Sequence, residues 1–247
     1  MRIRDNTVLI TGGSAGIGLA TAKALVAAHN TVLVCGRDQG RLERAREAVP
    51  GIHTIRCDVS RDDELSDLLK RVQSDFPRLN MLINNAAVMH IDDFAACVGG
   101  PERIEEEVRT NLLAPMKLTS LLLPVLQQQA TSAIVIVSSG LAYVPVANVA
   151  VYCATKAALH SFSRSLRHSL QQTSTRVFEL LPPPVDTELA RDLRMPKLRA
   201  EEVARELLKG LEHERYEMRV GMVKPLRMLS QLAPLFTEHM LNRAFSS

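Results

Sequence analysis

The chain has 247 residues, 46% of them hydrophobic, and a formal net charge of +3. That length suits one large α/β domain and is too short for a nucleotide-binding domain plus a separate substrate domain of usual size. Its 30 basic and 27 acidic residues are interspersed rather than gathered into a basic face, which argues against a nucleic-acid partner.

The polar segment Met1–Thr7 leads straight into an apolar run and does not resemble a signal peptide. Short runs rich in β-branched residues predict strands at Thr7–Thr11, Thr31–Cys35, Ile52–Cys57, Met81–Asn84, Ala133–Ser138, Arg176–Leu181 and Met218–Met222. Helical spacing between them predicts Ile17–Ala28, Arg41–Ala48, Asp62–Phe76, Glu102–Gln129, Val151–Gln171 and Ala200–Glu212. The run Ala133-Ile134-Val135-Ile136-Val137 is apolar without alternation, as in a parallel strand covered on both faces. Strand and helix alternate throughout, so the expected fold is α/β: a single domain over residues 1–247, with a doubly wound parallel sheet of about seven strands flanked by helices. Ligands bind such sheets at the carboxyl ends of the strands.

Leu112–Leu126 is the most apolar helical stretch, but Pro115, Lys117 and Pro124 interrupt it, so it reads as a buried helix and not as an integral membrane segment. A small lid is expected near residues 188–200 and a helical cap over residues 224–245, interrupted by Pro234. Cys35, Cys57, Cys97 and Cys153 lie far apart, with no CxxC pair and no histidine at ligand spacing. Neither a metal site nor a disulfide framework is expected, and reduced thiols point to the cytoplasm.

After the first strand the chain reads Gly12-Gly13-Ser14-Ala15-Gly16-Ile17-Gly18 and then becomes helical. Glycines at such a junction allow backbone conformations and close approaches that a Cβ would block. The helix-start N–H groups then face a phosphate, helped by the helix dipole. The turn opens the first β–α unit of an alternating chain, which is the context a dinucleotide-binding (Rossmann) fingerprint requires.

Farther along, Tyr152 and Lys156 are four residues apart near a helix start, and so share a face. An unperturbed phenol, with a pKa of about 10, is a poor acid–base catalyst near neutrality. A neighbouring ammonium is expected to lower it, so that Tyr152 can give a proton to a carbonyl oxygen or take one from an alcohol. Ser139 lies thirteen residues before Tyr152, just past a buried strand, with Ser138 as its rival. At Asn111, a regular helix would need an N–H from residue 115, which is proline. The Asn111 carbonyl is therefore expected to be released and the helix to bend, either to hold a water or for packing alone.

Taken together these features resemble the short-chain dehydrogenase/reductase family from end to end. Thr11-Gly12 with Gly16-Ile17-Gly18 resembles its TGxxxGxG turn, Asp58-Val59 its adenine contact, and Asn84-Asn85-Ala86-Ala87 its NNAG segment with Ala87 in place of glycine. Asn111, Ser139, Tyr152 and Lys156 fall where the family carries its catalytic residues, and the family's spacing favours Ser139 over Ser138. Pro182-Pro183-Pro184-Val185-Asp186-Thr187 resembles the PGxVxT loop with Pro183 in place of glycine, which implies carboxamide contacts from the Val185 backbone and from Thr187. The resemblance implies cofactor contacts from Gly12, Ser14, Ala15, Gly16, Ile17, Gly18, Asp58, Val59, Asn85, Ala86, Tyr152 and Lys156. Gly36-Arg37 stands where NAD-binding members carry an acid, so Arg37 implies NADP(H) rather than NAD(H), although Asp38 is acidic and Ala15 is not basic.

The implied function is an NADP(H)-dependent oxidoreductase that interconverts a carbonyl and an alcohol on a small molecule. The implied assembly is a homodimer or homotetramer paired through the two long helices. Met89, His90, Leu141, Val144, Val146, Asn148 and residues 188–199 would line a largely apolar pocket. The Cys-Gly-Arg element, the proline loop and the Arg/Leu-rich tail further resemble the DltE-like branch. Two alternatives remain. A nucleotide-sugar epimerase or dehydratase would need a GxxGxxG loop and a longer C-terminal domain. A non-catalytic NADP(H)-binding redox sensor would be expected to have lost some of the four residues.

Overall fold

The computed structural model describes residues 2–92, 94–96 and 99–245, so Cys97 lies outside the described residues. Seven strands, β1 (Thr7–Thr11), β2 (Thr31–Gly36), β3 (Ile52–Arg56), β4 (Leu79–Asn84), β5 (Ser132–Val137), β6 (Thr175–Leu181) and β7 (Glu217–Arg219), form a parallel sheet. Their order is β3-β2-β1-β4-β5-β6-β7. The direction of winding reverses between β1 and β4, which leaves a crevice beyond their carboxyl ends.

Alternate residues of each strand face opposite helical layers. Val8, Ile10, Val32 and Val34 pack against α1 (Gly16–Ala27), α2 (Gln39–Ala48) and α7 (Ala200–Glu212). Leu9, Leu33, Leu82 and Ile134 pack against α3 (Asp62–Asp75), α5 (Ala114–Gln127) and α6 (Ala150–Ser169). Each fully buried aliphatic side chain contributes on the order of 1.5–3 kcal/mol, so the double-sided core holds the strand ends that carry the site in place.

Most element ends shift by one or two residues from the sequence reading, and two elements depart further. The helix expected at Glu102–Gln129 is divided into α4 (Pro101–Val108), a wide π-type turn at Arg109–Leu113, and α5. Pro115 offers no N–H to Asn111, and the ladder widens one step earlier, where the Ala114 N–H donates to the Arg109 carbonyl. The bend expected at Pro115 is thus a π turn containing Asn111. The strand expected at Met218–Met222 stops at Arg219, because Gly221 takes a φ of +52° and turns the chain into α8 (Val223–Leu232). Pro234 then starts a separate helix, α9 (Pro234–Phe245). Between β6 and α7 the expected lid holds one short turn, Glu188–Ala190, and a bridge from Val185 to Leu198. Among the described residues, no helix is long and apolar enough to cross a membrane.

Candidate functional site

A cavity of about 540 Å³ opens along the carboxyl edge of the sheet. It runs from the glycine turn past Arg37, Asp58, Val59, Asn85 and Ala86 to Tyr152, Lys156 and Thr187. At the turn, Gly12 adopts a φ of +63°, and a Cβ there would lie 2.9 Å from the Ala86 Cα. At Gly18 a Cβ would meet the Gly12 carbonyl oxygen and come within 2.7 Å of Asn85 Nδ2. Thr11 ties this turn to the end of β4, its hydroxyl accepting from the Asn85 and Ala86 N–H groups at 3.0 Å each. Asn85 in turn donates its side-chain amide to the carbonyls of Thr11 at 2.9 Å and Gly12 at 3.1 Å. The helix that follows, α1, has no side-chain cap and no acid in its first turn. Helix α2, by contrast, is capped by the Asp38 carboxylate, which accepts from the Arg41 N–H at 2.9 Å. The first N–H groups of α1 thus have no side-chain acceptor from the chain itself at the cap position.

Arg37 lines the same cavity, with its guanidinium 3.1 Å from Glu106. Arg41 lies beside it and forms a two-pronged ion pair with Glu188, at 2.7 and 3.0 Å. Asp38 also lines the cavity, and one oxygen of its carboxylate is used to cap α2. Asp58 is held by Ser60, whose N–H and hydroxyl both donate to it.

At the other end Tyr152 and Lys156 lie one turn apart on α6, 8% and 2% exposed. The Lys156 ammonium lies 5.4 Å from the centroid of the Tyr152 ring and donates to the Val137 carbonyl at 2.9 Å. Burial dominates both ionisations. It pushes the phenol well above its usual range, with a hydrogen bond to Ser139 pulling the other way, and it brings Lys156 down to about 8 against the pull of Glu179 and Glu107. The expectation that Lys156 would depress the phenol is thus not met: burial raises it, and the opposing pull comes from Ser139. Ser139 caps the short turn Gly140–Ala142, its hydroxyl accepting from the Leu141 N–H at 3.1 Å. Ser138 directs its hydroxyl to buried Glu179, so Ser139 is the serine beside Tyr152.

Asn111 is fully buried in the π turn and clamps the chain leaving β4, accepting from the Val88 N–H at 2.8 Å and donating to its carbonyl at 2.7 Å. Its amide also lies 3.4 Å from the Thr155 hydroxyl, which links the clamp to α6. Four of the predicted residues do not line the cavity: Gly18, Asn111, Ser139 and Val185. Gly18 packs behind the turn and Val185 is buried in the core. Of the expected pocket wall, Met89, His90, Glu188 and Leu189 line the cavity, while Leu141 and Val146 join Tyr152 in an apolar cluster closed by Leu241 and Phe245 of α9.

Sequence reasoning missed several polar groups around this end. Glu179 on β6 is fully buried and pairs with His160 of α6. Glu107 of α4 is also buried, with one oxygen accepting from the His90 N–H and the other without a hydrogen-bond partner. The available signal was a lone acid inside the otherwise apolar run Val177–Leu181. A charged residue in a strand buried on both faces requires a partner.

The family model for short chain dehydrogenases matches residues 6–197. The chain is 44% identical over 236 residues to the uncharacterized oxidoreductase DltE of Bacillus subtilis, covering 92% of each chain. Among solved structures it resembles a short chain dehydrogenase from Burkholderia cenocepacia in complex with NADP, with a TM-score of 0.87, 24% identity and coverage of 98% and 99%. It also resembles a short chain dehydrogenase/reductase from Burkholderia phymatum in complex with NAD, with a TM-score of 0.84, 19% identity and coverage of 94% and 96%. A glycine turn, a reversal of strand order and a buried tyrosine–lysine pair on one cleft thus coincide with a family match over most of the chain. The chain belongs to the short-chain dehydrogenase/reductase family of oxidoreductases and is of its DltE-like type.

Proposed function

We propose that this protein is an NADP(H)-dependent reductase of apolar carbonyl compounds, with Tyr152 as the proton donor. The observation that carries the reading is the continuity of one cavity from the glycine turn to Tyr152 and Lys156. A dinucleotide fits what lines it: backbone and an uncapped helix start at one end, two arginines beside the second strand, and an acid–base pair at the other end. Gly12, Ser14, Ala15, Gly16 and Ile17 would hold the pyrophosphate through backbone N–H groups, and Thr187 the carboxamide. Asp58, Val59, Asn85 and Ala86 would flank the adenine side. Arg37 and Arg41 favour a 2′-phosphate, since two guanidinium groups face that end and the neighbouring acid is used as a cap.

When bound, the nicotinamide supplies the hydride. The chain's own residues supply the proton. Burial holds Tyr152 protonated through the neutral range, the state a donor to a carbonyl oxygen requires. Ser139, beside the phenol, orients that oxygen, and Lys156 stabilises the phenolate left after transfer. Asn111 fixes the wall at Val88 and keeps α4 and α6 in register. Met89, which packs on the apolar cluster around Tyr152, lines the cavity together with Leu189 and favours an apolar substrate. Exposed Leu113 and Met116 at the start of α5 support pairing of copies through the long helices.

The test is NADPH oxidation over a panel of apolar ketones and aldehydes, with NADH in parallel. Turnover is expected to favour NADPH and to fall about 10³-fold in Tyr152→Phe, with NADPH affinity preserved. Full activity in the phenylalanine variant would refute the assigned donor.

A further inference from the structure

A buried cation needs a counter-charge, because desolvation is costly and a neutral acceptor offsets only part of it. Lys156 donates to a neutral acceptor, the Val137 carbonyl. The negative charge comes from behind the site. Glu179 on β6 is fully buried, and its carboxylate is fixed on both oxygens. One oxygen accepts from the Ser138 hydroxyl. The other accepts from the Ser163 hydroxyl at 3.0 Å and lies 2.8 Å from His160 Nδ1. Lys156, His160 and Ser163 recur at spacings of four and three along α6, so they share its β6-facing side. Val137 and Ser138 are consecutive, so the partner of Lys156 and a partner of Glu179 occupy the same strand exit.

We propose that Glu179 is a positioning residue for the active-site lysine, its carboxylate held by Ser138, His160 and Ser163 so that it supplies the buried counter-charge of Lys156. The inference rests on the reading of Lys156 given above, but concerns a residue that touches neither substrate nor cofactor. Glu179 exerts the largest upward pull on Lys156 against burial, with Glu107 from α4 second. The groups around this charge are few. His160 and Lys156 face it from α6. Tyr143 packs edge-on against His160 at 5.1 Å, and Arg219 of β7 donates to the Tyr143 hydroxyl at 3.1 Å and pairs with Glu217. Glutamine at position 179 keeps the size and one oxygen acceptor, so that one serine bond is retained and the other has to reverse, and removes the charge.

The experiment follows NADPH affinity by fluorescence, and carbonyl turnover, from pH 6 to pH 10 (a range of about four units spanning the lysine). Wild-type affinity and turnover are expected to weaken as pH rises through about 8, where Lys156 loses its proton. In Glu179→Gln that alkaline limb moves down by about half a unit or more. In Glu179→Asp, where the charge retreats by one methylene, it moves less in the same direction; this variant decides the matter if the glutamine variant does not fold. Ser163→Ala removes a hydrogen bond but no charge, so it lowers the melting temperature and leaves the limb in place. A limb unmoved in the Glu179 variants, or moved equally by Ser163→Ala, overturns the proposal. The binding limb keeps the two readings apart: a shifted limb without turnover in any variant refutes the reductase and leaves the counter-charge standing.

Discussion

At the glycine-rich end of the cleft the surface offered to a ligand is mostly backbone, whereas at the other end it is the Tyr152 and Lys156 side chains of α6, backed by buried acids on α4 and β6. The first end is specified by what is missing: Cβ atoms at Gly12 and Gly18, and a cap and first-turn acids at α1. The second is specified by charges that would be unstable alone, Lys156, Glu179 and Glu107, all within the core. A site of the first kind fails by steric intrusion and tolerates no added atom. A site of the second kind fails by loss of charge, and its desolvation cost is relieved in full only when the opposing charges are replaced together.

The first end can be broken with one side chain. Gly18→Val would drive atoms into the Gly12 carbonyl and Asn85, neither of which can retreat without undoing the Thr11 tether. Overpacking of this kind costs on the order of 1–3 kcal/mol, so NADPH affinity is expected to fall by about 100-fold. Fluorescence titration checks this, with the far-UV spectrum as a control for folding. Affinity within a few-fold of wild type would mean that the turn does not hold the nucleotide by close backbone approach.

The second end predicts an opposite pairing of effects. Lys156→Met keeps the length of the side chain and removes a cation whose folded-state pKa, about 8, lies below its ordinary value of 10.5. For such a group the unfolded chain binds the proton more readily, so stability rises with pH between those two values and the charged form is a burden at neutrality. Turnover is expected to drop about 100-fold while the melting temperature at pH 7 changes by less than about 4 °C, because relief of the Lys156 desolvation is offset by the charge left on Glu179 without its cation. A clear loss of melting temperature would show that the Val137 contact and the stranded Glu179 charge outweigh desolvation.

This contrast also explains what could be read from the chain. The glycine turn, the seven strands and the Tyr152–Lys156 pair were legible because each is a local pattern: a spacing of four or five residues, or an uninterrupted apolar run. The position of Asn111 was legible for the same reason, through Pro115 four residues on, although the form of the break, a π turn, was not. Glu179 was not read. Its partners Ser138, His160 and Ser163 lie 41, 19 and 16 residues away, and only the β5–β6 pairing and the docking of α6 bring them together. The direction of the Tyr152 shift was misjudged for the same reason, since burial depends on tertiary packing that spacing does not contain. Val185 buries its side chain in the core, while its backbone, the part that the resemblance implies as a ligand contact, bridges to Leu198.

Arg37 sharpens the comparison, because it is a side-chain contact at the backbone-built end. It is more than half exposed and pairs with Glu106, an arrangement worth roughly 0–1 kcal/mol to the fold. Arg37→Ala should therefore leave the melting temperature unchanged. A hydrogen-bonded charge on a 2′-phosphate is worth about 1.5–3 kcal/mol, and exposure places this one at the lower end. The KM for NADPH is expected to rise about tenfold while the KM for NADH moves less than about twofold. Arg41, held by Glu188, remains to carry the rest of the preference. An equal rise for both cofactors would show that Arg37 covers the adenine face instead, and would remove the main support for NADP(H).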